Sequence, residues 1–369
     1  MEIIVKHHLS LSSDLLITFK KTKLKFLSKM SKKVLLTGIT GYIGSHCALE
    51  LIKSGYFVKG SLRDVSKANQ IKDALDKEVN TAGKLDFCQL DLLKDEGWEE
   101  AMEGCDYVLH VASPFINSEP KDENVLVKPA LEGTKRALSA AKKAGIKRIV
   151  LTSSMVAMLE NADESININA ESWTNIEAKN VSAYIKSKTI AEKFAWEFIN
   201  EQDNESALEL VVINPGPVFG PTFTGTMDGA SLGLFNQMMS GKMPMVPKAA
   251  INMSDVRDIA KIHVLALENK NASGNRFIVT TETPYKFQEM AQILKSNGYE
   301  KVSTKEAPNF LLNFLSNFNR EAKGMRAFIG KTYHGDVSST MKVFDWKPIT
   351  FEKTVLDTAK SIEKFSGSI

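Results

Sequence analysis

Residues 34–44 read VLLTGITGYIG, and this stretch decides the fold. An apolar run stops at a cluster of glycines, and apolar residues then return at helical spacing, which predicts a buried strand, a tight turn and a helix. Glycines 38, 41 and 44 let the backbone turn sharply and approach a ligand closely, while a helix N-terminus offers free N–H groups and a positive dipole end. We therefore predict that this turn binds the pyrophosphate of a dinucleotide, although its GxxGxxG spacing differs from the general GxGxxG fingerprint.

Apolar strands and helical segments keep alternating after this turn. Further strands are expected at residues 56–63, 85–90 and 148–152 and from residues 107 and 210 onward, and further helices at 67–81 and 124–143. Alternation of this kind is typical of a parallel sheet with helices on both faces. We predict an α/β fold with a Rossmann-type doubly wound parallel sheet and a smaller C-terminal substrate-binding region, with ligands held where the strands end.

The composition is that of an ordinary globular protein, because 43% of the 369 residues are hydrophobic and 25% are charged, which is enough for a core. The net charge is +3, and residues 1–29 alone carry six lysines against two acids, so the rest of the chain is close to neutral. A body without a basic surface argues against nucleic acid as a partner, and no segment is long and apolar enough to indicate a membrane. The cysteines 47, 88 and 105 lack metal-ligand spacing, so we expect no bound metal and a cytoplasmic protein with reduced thiols.

Residues 1–30 differ from the rest of the chain because they are rich in lysine and poor in acids. The apolar run within them is too short for a signal sequence, and the absence of arginine argues against a transit peptide, which stays an alternative. Met30 stands directly before SKKVLLTG and is an alternative start of the protein. We predict that this segment is a disordered N-terminal extension.

The segment TGITGYIG at residues 37–44 closely resembles the cofactor motif of the extended short-chain dehydrogenases/reductases, in the NAD-dependent epimerase/dehydratase superfamily. The likeness is to the branch of dihydroflavonol reductases, cinnamoyl-CoA reductases and NADPH-dependent aldehyde and ketone reductases, and it runs from about Lys32 to the C-terminus. HVASP at residues 110–114 and NPG at residues 214–216 are similar to further cofactor elements of that family. The resemblance implies that the cofactor is contacted by Thr37, Gly38, Thr40, Gly41, Tyr42, Ile43, Gly44, Asp91, Leu92, Val111, Ala112, Ser113, Pro215, Gly216 and Val218.

The end of the second strand carries Arg63, which bears on the choice between NAD and NADP. An enzyme selective for NAD usually places Asp or Glu there to bind the ribose 2′-hydroxyl, whereas the forked donors of arginine suit a 2′-phosphate. In the resembling family an arginine followed by an acid, here Asp64, has this role, and a lysine of the next helix helps it, for which Lys67 and Lys72 are candidates. We therefore predict NADP(H) as the cofactor, with Arg63 and Lys67 at the 2′-phosphate.

The predicted chemical centre combines serines after the fifth strand with the pattern YxxxK on the following helix. Tyr184 and Lys188 lie four residues apart, so their phenol and ammonium reach the same side of a bound nicotinamide. A neighbouring cation favours a phenolate, and we expect Lys188 to lower the pKa of Tyr184. The resemblance implies that Ser154, Tyr184 and Lys188 are catalytic, that the last two also contact the cofactor, and that Ser153 is the alternative serine.

Sequence rich in loops and methionine follows residue 220. We predict that residues 31–220 form the NADP-binding Rossmann domain with the catalytic residues, and that 221–369 form mainly the substrate-binding region, with some segments returning to the first domain. The methionines are suited to a core, and their flexible thioethers also suit an adaptable apolar pocket. The residues predicted to line the substrate cleft are Phe115, Ser154, Met155 and Tyr184.

These features together predict an NADPH-dependent carbonyl reductase with a small-molecule aldehyde or ketone as substrate. Hydride would pass from the nicotinamide to the carbonyl carbon, Tyr184 would give the proton, and Ser154 would stabilise the oxygen. One alternative is a nucleotide-sugar epimerase or dehydratase with tightly held NAD, against which Arg63 argues. Another is a regulatory protein that senses NADP without turnover, although such relatives commonly lack the tyrosine. The oligomeric state, monomer or homodimer, stays open.

Overall fold

The computed structural model describes residues 32–114, 116, 118–159, 165–178, 181–203, 207–227, 229–315, 317–318 and 328–366, so the prediction for residues 1–30 lies outside the described residues. The strands are β1 (Lys33–Thr37), β2 (Phe57–Leu62), β3 (Leu85–Gln89), β4 (Tyr107–His110), β5 (Arg148–Thr152), β6 (Ser165–Ile168), β7 (Glu209–Pro215), β8 (Val218–Phe219), β9 (Val246–Pro247), β10 (Ala250–Ile251), β11 (Ser254–Asp255), β12 (Arg276–Val279), β13 (Tyr285–Lys286), β14 (Glu306–Ala307) and β15 (Thr332–Gly335). The helices are α1 (Tyr42–Lys53), α2 (Ala68–Asp76), α3 (Trp98–Met102), α4 (Asn124–Lys143), α5 (Ala183–Asn200), α6 (Ala230–Met239), α7 (Val256–Ala266), α8 (Phe287–Ser296), α9 (Asn309–Leu315), α10 (Ser338–Phe344) and α11 (Phe351–Ser366).

Seven parallel strands form the central sheet in the order β12-β7-β5-β4-β1-β2-β3. The order reverses between β1 and β4, which pair in parallel from Val34 beside Tyr107 to Thr37 beside His110. A reversal of this kind leaves a crevice at the carboxyl ends of the two strands, where doubly wound folds bind their ligands. The predicted Rossmann-type sheet is therefore confirmed.

Strand β1 shows why helices cover both faces of this sheet. Its Leu35 packs into an apolar cluster with α3, α4 and α5, whereas Val34 and Leu36 pack into a second cluster with α1 and α7. Successive side chains of a strand point to opposite faces, and all three of these side chains are fully buried. A strand buried on both faces has a continuous apolar sequence, which explains the unbroken run at the start of the glycine motif.

The C-terminal part of the chain adds a four-stranded sheet in the order β13-β10-β15-β6. Strand β12 comes late in the chain and nevertheless pairs with β7 at the edge of the central sheet. Conversely, β6 comes early and pairs with β15 in the smaller sheet. The chain thus crosses between the two sheets in both directions, and a domain boundary at residue 220 stays a prediction.

Several features of the C-terminal part bear on its predicted role. Met238 and Met239 lie in the core with 1% and 3% of their surface exposed, so these two side chains fill the core and do not line an open pocket. Phe310 and Phe314 on α9 are exposed instead, by 76% and 59%.

In the part of the chain that the structure describes, no helix has the length and apolar character needed to cross a bilayer.

Candidate active site

The glycine turn after β1 leaves no room for side chains. Gly38 has a φ of +74°, which L residues rarely adopt, and a Cβ there would lie 2.9 Å from the Cα of Ala112. A Cβ on Gly44 would lie 2.0 Å from the carbonyl oxygen of Gly38. The amide of Gly41 donates to that same oxygen at 3.0 Å and closes the turn. These glycines bring β1, the end of β4 and helix α1 into direct backbone contact.

Helix α1 starts at this turn with its first amides open. The N-cap position is Gly41, which has no side chain to bond them, and the first turn of the helix contains no acidic residue. The free N–H groups and the positive end of the helix dipole favour an anion at this position. The cradle therefore fits the diphosphate of a dinucleotide, which supports the predicted contacts of Gly41, Tyr42, Ile43 and Gly44.

Thr37 holds the end of β4 against this turn. Its hydroxyl accepts hydrogen bonds from the amides of Val111 at 3.1 Å and Ala112 at 3.0 Å, and it lies 3.0 Å from Nδ1 of His110. Because both lone pairs of the hydroxyl are used, its proton is donated to Nδ1, which must carry no hydrogen. Burial, with a smaller contribution from the charge of Lys188, lowers the pKa of His110 to about 3, so the ring is neutral. The backbone of residues 111–112 is thereby held at the switch point of the sheet.

Arg63 follows β2 with its side chain exposed, and it forms no ion pair with any residue that the structure describes. The neighbouring Asp64 accepts hydrogen bonds from the amide of Ser66 at 3.0 Å and from its hydroxyl at 2.6 Å, and these bonds lower the pKa of Asp64. Lys67 is exposed in the same turn, whereas Lys72 forms an ion pair on its own helix. Asp64 is thus engaged within its turn, which leaves Arg63 and Lys67 available for a phosphate.

The three predicted catalytic residues meet at the carboxyl end of β5. Ser154 forms a side-chain hydrogen bond with Tyr184, which lies in the first turn of α5. Lys188 stands one helical turn later, and its Nζ donates to the carbonyl oxygen of Thr152 at 3.3 Å. Helix α5 begins where it does because the hydroxyl of Ser182 caps it, accepting a hydrogen bond at 3.3 Å from the third helical amide. The YxxxK spacing therefore presents both side chains to the end of the same strand.

The pKa values of the site differ from the prediction in one respect. Burial raises the pKa of Tyr184 above its ordinary value, and the hydrogen bond with Ser154 partly opposes that rise. The expectation that Lys188 brings this pKa below its ordinary value is therefore wrong, because burial dominates. Burial also lowers the pKa of Lys188 to about 8, while the carboxylate of Glu192 acts in the opposite direction. A phenol that stays protonated at neutral pH is the form that can give a proton to a carbonyl oxygen.

Ser153 and Ser154 face different partners. The hydroxyl of Ser153 donates to the buried carboxylate of Glu192. The hydroxyl of Ser154 bonds with Tyr184 and also lies 3.3 Å from the carbonyl oxygen of Pro215, at the start of the NPG loop. This difference supports Ser154 as the catalytic serine.

Sequence reasoning missed a buried ion pair behind the site. Glu192 of α5 is fully buried, and its Oε1 lies 2.5 Å from Nε of Arg276 on β12. The signal available in the sequence was the position of Glu192, four residues after Lys188 and therefore on the same helix face. Nothing in the local pattern pointed to Arg276, which is distant in the chain.

The segment that follows β7 is hydrogen-bonded to α1 and to α11. The hydroxyl of Tyr42 donates to the carbonyl oxygen of Gly220 at 2.6 Å, and the amide of Gly220 donates to the hydroxyl of Thr358 on α11 at 2.7 Å. A Cβ on Gly216 would lie 2.4 Å from the carbonyl oxygen of Asn252, so only glycine fits there. The loop is thus held firmly next to the catalytic serine, and its contact with a nicotinamide stays a prediction.

The remaining predicted residues vary in their support. Asp91 and Leu92 follow β3 at the same edge of the sheet, where Asp91 accepts a hydrogen bond from the amide of Leu93 at 2.9 Å. Met155 has only 1% of its surface exposed and packs beside Gly335, so its side chain belongs to the core and its position does not support the predicted substrate contact. Phe115 lies outside the described residues. The ligand contacts predicted for four further residues stay predictions: Thr40, Ser113, Pro215 and Val218.

Gly44→Ala is expected to lower the free energy of unfolding by about 1–3 kcal/mol, the usual cost of overpacking a tight site. It should also weaken NADPH binding, because the turn must open to admit the Cβ. Thermal unfolding and a fluorescence titration with NADPH measure the two effects. The matched control is Gly233→Ala on α6, where a Cβ meets nothing within 4 Å and neither property should fall. Equal behaviour of the two variants would contradict the tight contact between Gly44 and Gly38.

Comparison with known proteins agrees with this fold. The model of the NAD dependent epimerase/dehydratase family matches residues 34–279. The NADPH-dependent methylglyoxal reductase of Saccharomyces cerevisiae is 30% identical over 354 residues, which cover 91% of this chain and 99% of the yeast protein. A cinnamoyl-CoA reductase of Medicago truncatula is 32% identical over 274 residues, which cover 73% of this chain and 81% of the plant protein. The solved structure of yeast methylglyoxal/isovaleraldehyde reductase in complex with NADPH matches with a TM-score of 0.74 at 29% identity, covering 91% of this chain and 100% of that one.

Among the described residues, no three His, Cys, Asp or Glu side chains come close enough together to hold a metal ion.

Proposed function

The chain belongs to the NAD dependent epimerase/dehydratase family, and we propose that it works there as an NADPH-dependent carbonyl reductase. The observation that carries this proposal is the hydrogen-bonded pair of Ser154 and Tyr184 at the carboxyl edge of the sheet, one helical turn from Lys188. The resemblance to the reductase branch is confirmed by the relatives, which are named as reductases. Arg63 argues against an epimerase with tightly held NAD, because its position at the end of β2 suits the 2′-phosphate of NADP.

The side chains of the site divide the work of carbonyl reduction. Tyr184 would donate its phenolic proton to the carbonyl oxygen, a step for which its raised pKa keeps the proton in place at neutral pH. Ser154 would donate a hydrogen bond to the same oxygen as negative charge develops on it. Lys188 would hold the nicotinamide ribose. The nicotinamide, when bound, supplies the hydride.

The cofactor is NADP(H), in agreement with relatives that are described as NADPH-dependent or were solved with NADPH. Gly38, Gly41 and Gly44 would receive the diphosphate at the open start of α1. Arg63 and Lys67 would bind the 2′-phosphate, since both are exposed beside the end of β2 and Asp64 is occupied by Ser66.

Arg63→Ala should weaken NADPH binding by roughly ten- to a hundredfold, because losing one charge-assisted contact costs about 1.5–3 kcal/mol, and should leave NADH binding nearly unchanged. The measurement is a pair of fluorescence titrations with the two cofactors. Lys77→Ala, which removes an exposed cation at the far end of α2, serves as the control and should alter neither affinity. Undiminished NADPH affinity in Arg63→Ala would show that this arginine is an ordinary surface charge.

We propose a small aldehyde or ketone as the substrate. The relatives are named for methylglyoxal, isovaleraldehyde and cinnamoyl-CoA, so these three compounds form the natural start of a panel that also includes aromatic aldehydes and aliphatic ketones. The test is the loss of NADPH absorbance when purified protein is mixed with each carbonyl, against a control without carbonyl. Oxidation that requires a carbonyl would support the proposal, and NADPH binding without oxidation by any member of a broad panel would favour the regulatory sensor.

We also propose that the protein works in the cytoplasm as a monomer or homodimer. The three cysteines are free thiols, and burial raises the pKa of each, which suits a reducing compartment. Fractionation with an antibody and gel filtration of the purified protein test the two statements separately.

A further inference from the structure

A buried, charged network lies directly behind the catalytic residues and takes no part in the proposed reaction. We propose that Glu192 is a positioning residue of this site, which holds the Ser153-Ser154 backbone in place and sets a negative charge one helical turn from Lys188. This role rests on the proposed function. Four side chains donate hydrogen bonds to the carboxylate of Glu192.

Glu192 is fully buried and accepts hydrogen bonds on both oxygens. Oε2 accepts from the hydroxyl of Ser153 and from Nδ2 of Asn214 at 2.9 Å. Oε1 accepts from Nε of Arg276 at 2.5 Å and from Nε1 of Trp196 at 3.4 Å. A buried carboxylate is costly unless its charge is paired and its lone pairs are used. The four donors, which come from α5, β7, β12 and the residue directly after β5, meet that requirement.

Two of these donors connect Glu192 with the catalytic serine. Ser153 is the residue before Ser154 and is bonded through its side chain. Asn214 donates from the same Nδ2 to the carbonyl oxygen of Ser154 at 3.2 Å. Glu192 thus holds the chain on both sides of the peptide bond that joins the two serines, and in this way it controls where the hydroxyl of Ser154 meets Tyr184.

Charge is the second route by which Glu192 acts. Burial lowers the pKa of Lys188 to about 8, and the charge of Glu192, one helical turn away, opposes that fall. His263 bonds with the Thr152 hydroxyl and has a pKa lowered by burial to about 4, so it is neutral, as is His110. The titratable groups that these contacts connect with Lys188 are Tyr184 and Glu192 on α5, His110 on β4, His263 on α7 and Arg276 on β12. On the neighbouring α4, Glu132 forms ion pairs with Lys135 and Arg136. Of the described groups connected with Lys188, Glu192 supplies the negative charge.

Arg276 extends the network to residues 170–173, which take no part in the proposed reaction. Its Nη1 donates to the carbonyl oxygens of Ala170 at 2.9 Å and Ser172 at 2.8 Å, and its guanidinium carbon lies 3.8 Å from the centre of the Trp173 ring. The ion pair with Glu192 therefore joins the segment of residues 170–173 to the helix of Tyr184 and Lys188.

The test uses Glu192→Gln in the full chain and measures NADPH affinity by fluorescence titration from neutral to alkaline pH. In the wild type, NADPH affinity should fall as the pH rises and Lys188 loses its proton. In Glu192→Gln this fall should occur at a pH about one unit lower, because Lys188 loses an opposite charge nearby. Ser153→Ala removes one bond to Glu192 and keeps the charge, so its pH profile should stay in place. A purely structural role would weaken binding equally at every pH. An unmoved profile in a folded Glu192→Gln would overturn the proposal.

A second variant covers the case in which Glu192→Gln does not fold, since that substitution leaves Arg276 buried without a counter-charge. The double variant Glu192→Gln/Arg276→Gln places two neutral amides in contact, and circular dichroism checks its fold. The NADPH profile should again move to lower pH, but by less than in Glu192→Gln, because the loss of the Arg276 cation partly offsets the loss of the carboxylate, and a profile at or above the wild-type position would overturn the proposal. Because these titrations need no turnover, a wild type that reduces no carbonyl would refute the proposed function and leave this test valid.

Discussion

Tyr184→Phe should lower kcat by about 10²- to 10⁴-fold, the contribution of a positioned general acid, while the affinity for NADPH changes little. The substitution keeps the ring, which packs against the core, and removes only the hydroxyl that bonds with Ser154. Steady-state reduction of one aldehyde and a fluorescence titration with NADPH measure the two quantities on the same preparation.

The matched control is Tyr299→Phe, which removes a hydroxyl that donates to Glu363 at 3.1 Å, away from β5 and α5. It should leave kcat within about twofold of the wild type, since surface substitutions of this kind rarely change more than stability. A Tyr184→Phe enzyme that reduces carbonyls as fast as the control would mean that another group provides the proton.

Ser154→Ala should lower kcat by about 10²- to 10³-fold, the usual loss when one donor to a developing oxyanion is removed. Ser153→Ala should lower it far less, because that hydroxyl donates to the carboxylate of Glu192, whereas the hydroxyl of Ser154 bonds with Tyr184. The two substitutions remove the same atom from adjacent residues, so each is the control for the other when kcat and NADPH affinity are compared.

The reverse order, with Ser153→Ala the slower enzyme, would make Ser153 the catalytic serine. Equal losses would mean that both variants act by disturbing the backbone. In either case Ser154 would not be the group that stabilises the carbonyl oxygen.

The parts of the fold that were predictable are those encoded by residues close together in the chain. The β1 strand, its turn and α1 lie within residues 33–53, and the YxxxK pair lies within one turn of α5, so local spacing was enough. The position of β12 beside β7 depends on a pairing between distant segments, and the position of β6 in the smaller sheet does as well. No local periodicity contains that information.

The same distinction between local and distant information applies to the candidate site. The glycine turn, the serines after β5 and the YxxxK pattern follow one another in the chain, and this order predicted Ser154, Tyr184 and Lys188 as the catalytic residues. The structure brings these three residues together. The direction of each serine hydroxyl depends on Glu192 and Pro215, which come from other elements. The bond between Glu192 and Arg276 joins residues 84 positions apart. The pKa of Tyr184 depends on burial, which the spacing of a tyrosine and a lysine does not reveal.

The central claim, hydride transfer to a carbonyl with Tyr184 as proton donor, is tested most directly by following the hydride. The purified full chain is mixed with NADPH that carries deuterium at both positions of the reactive ring carbon, together with a small aldehyde, and the product is analysed by mass spectrometry. The account predicts an alcohol with deuterium on the former carbonyl carbon from the wild type, and almost none in the same time from Tyr184→Phe. An alcohol without deuterium, or equal deuterated product from both proteins, would contradict it.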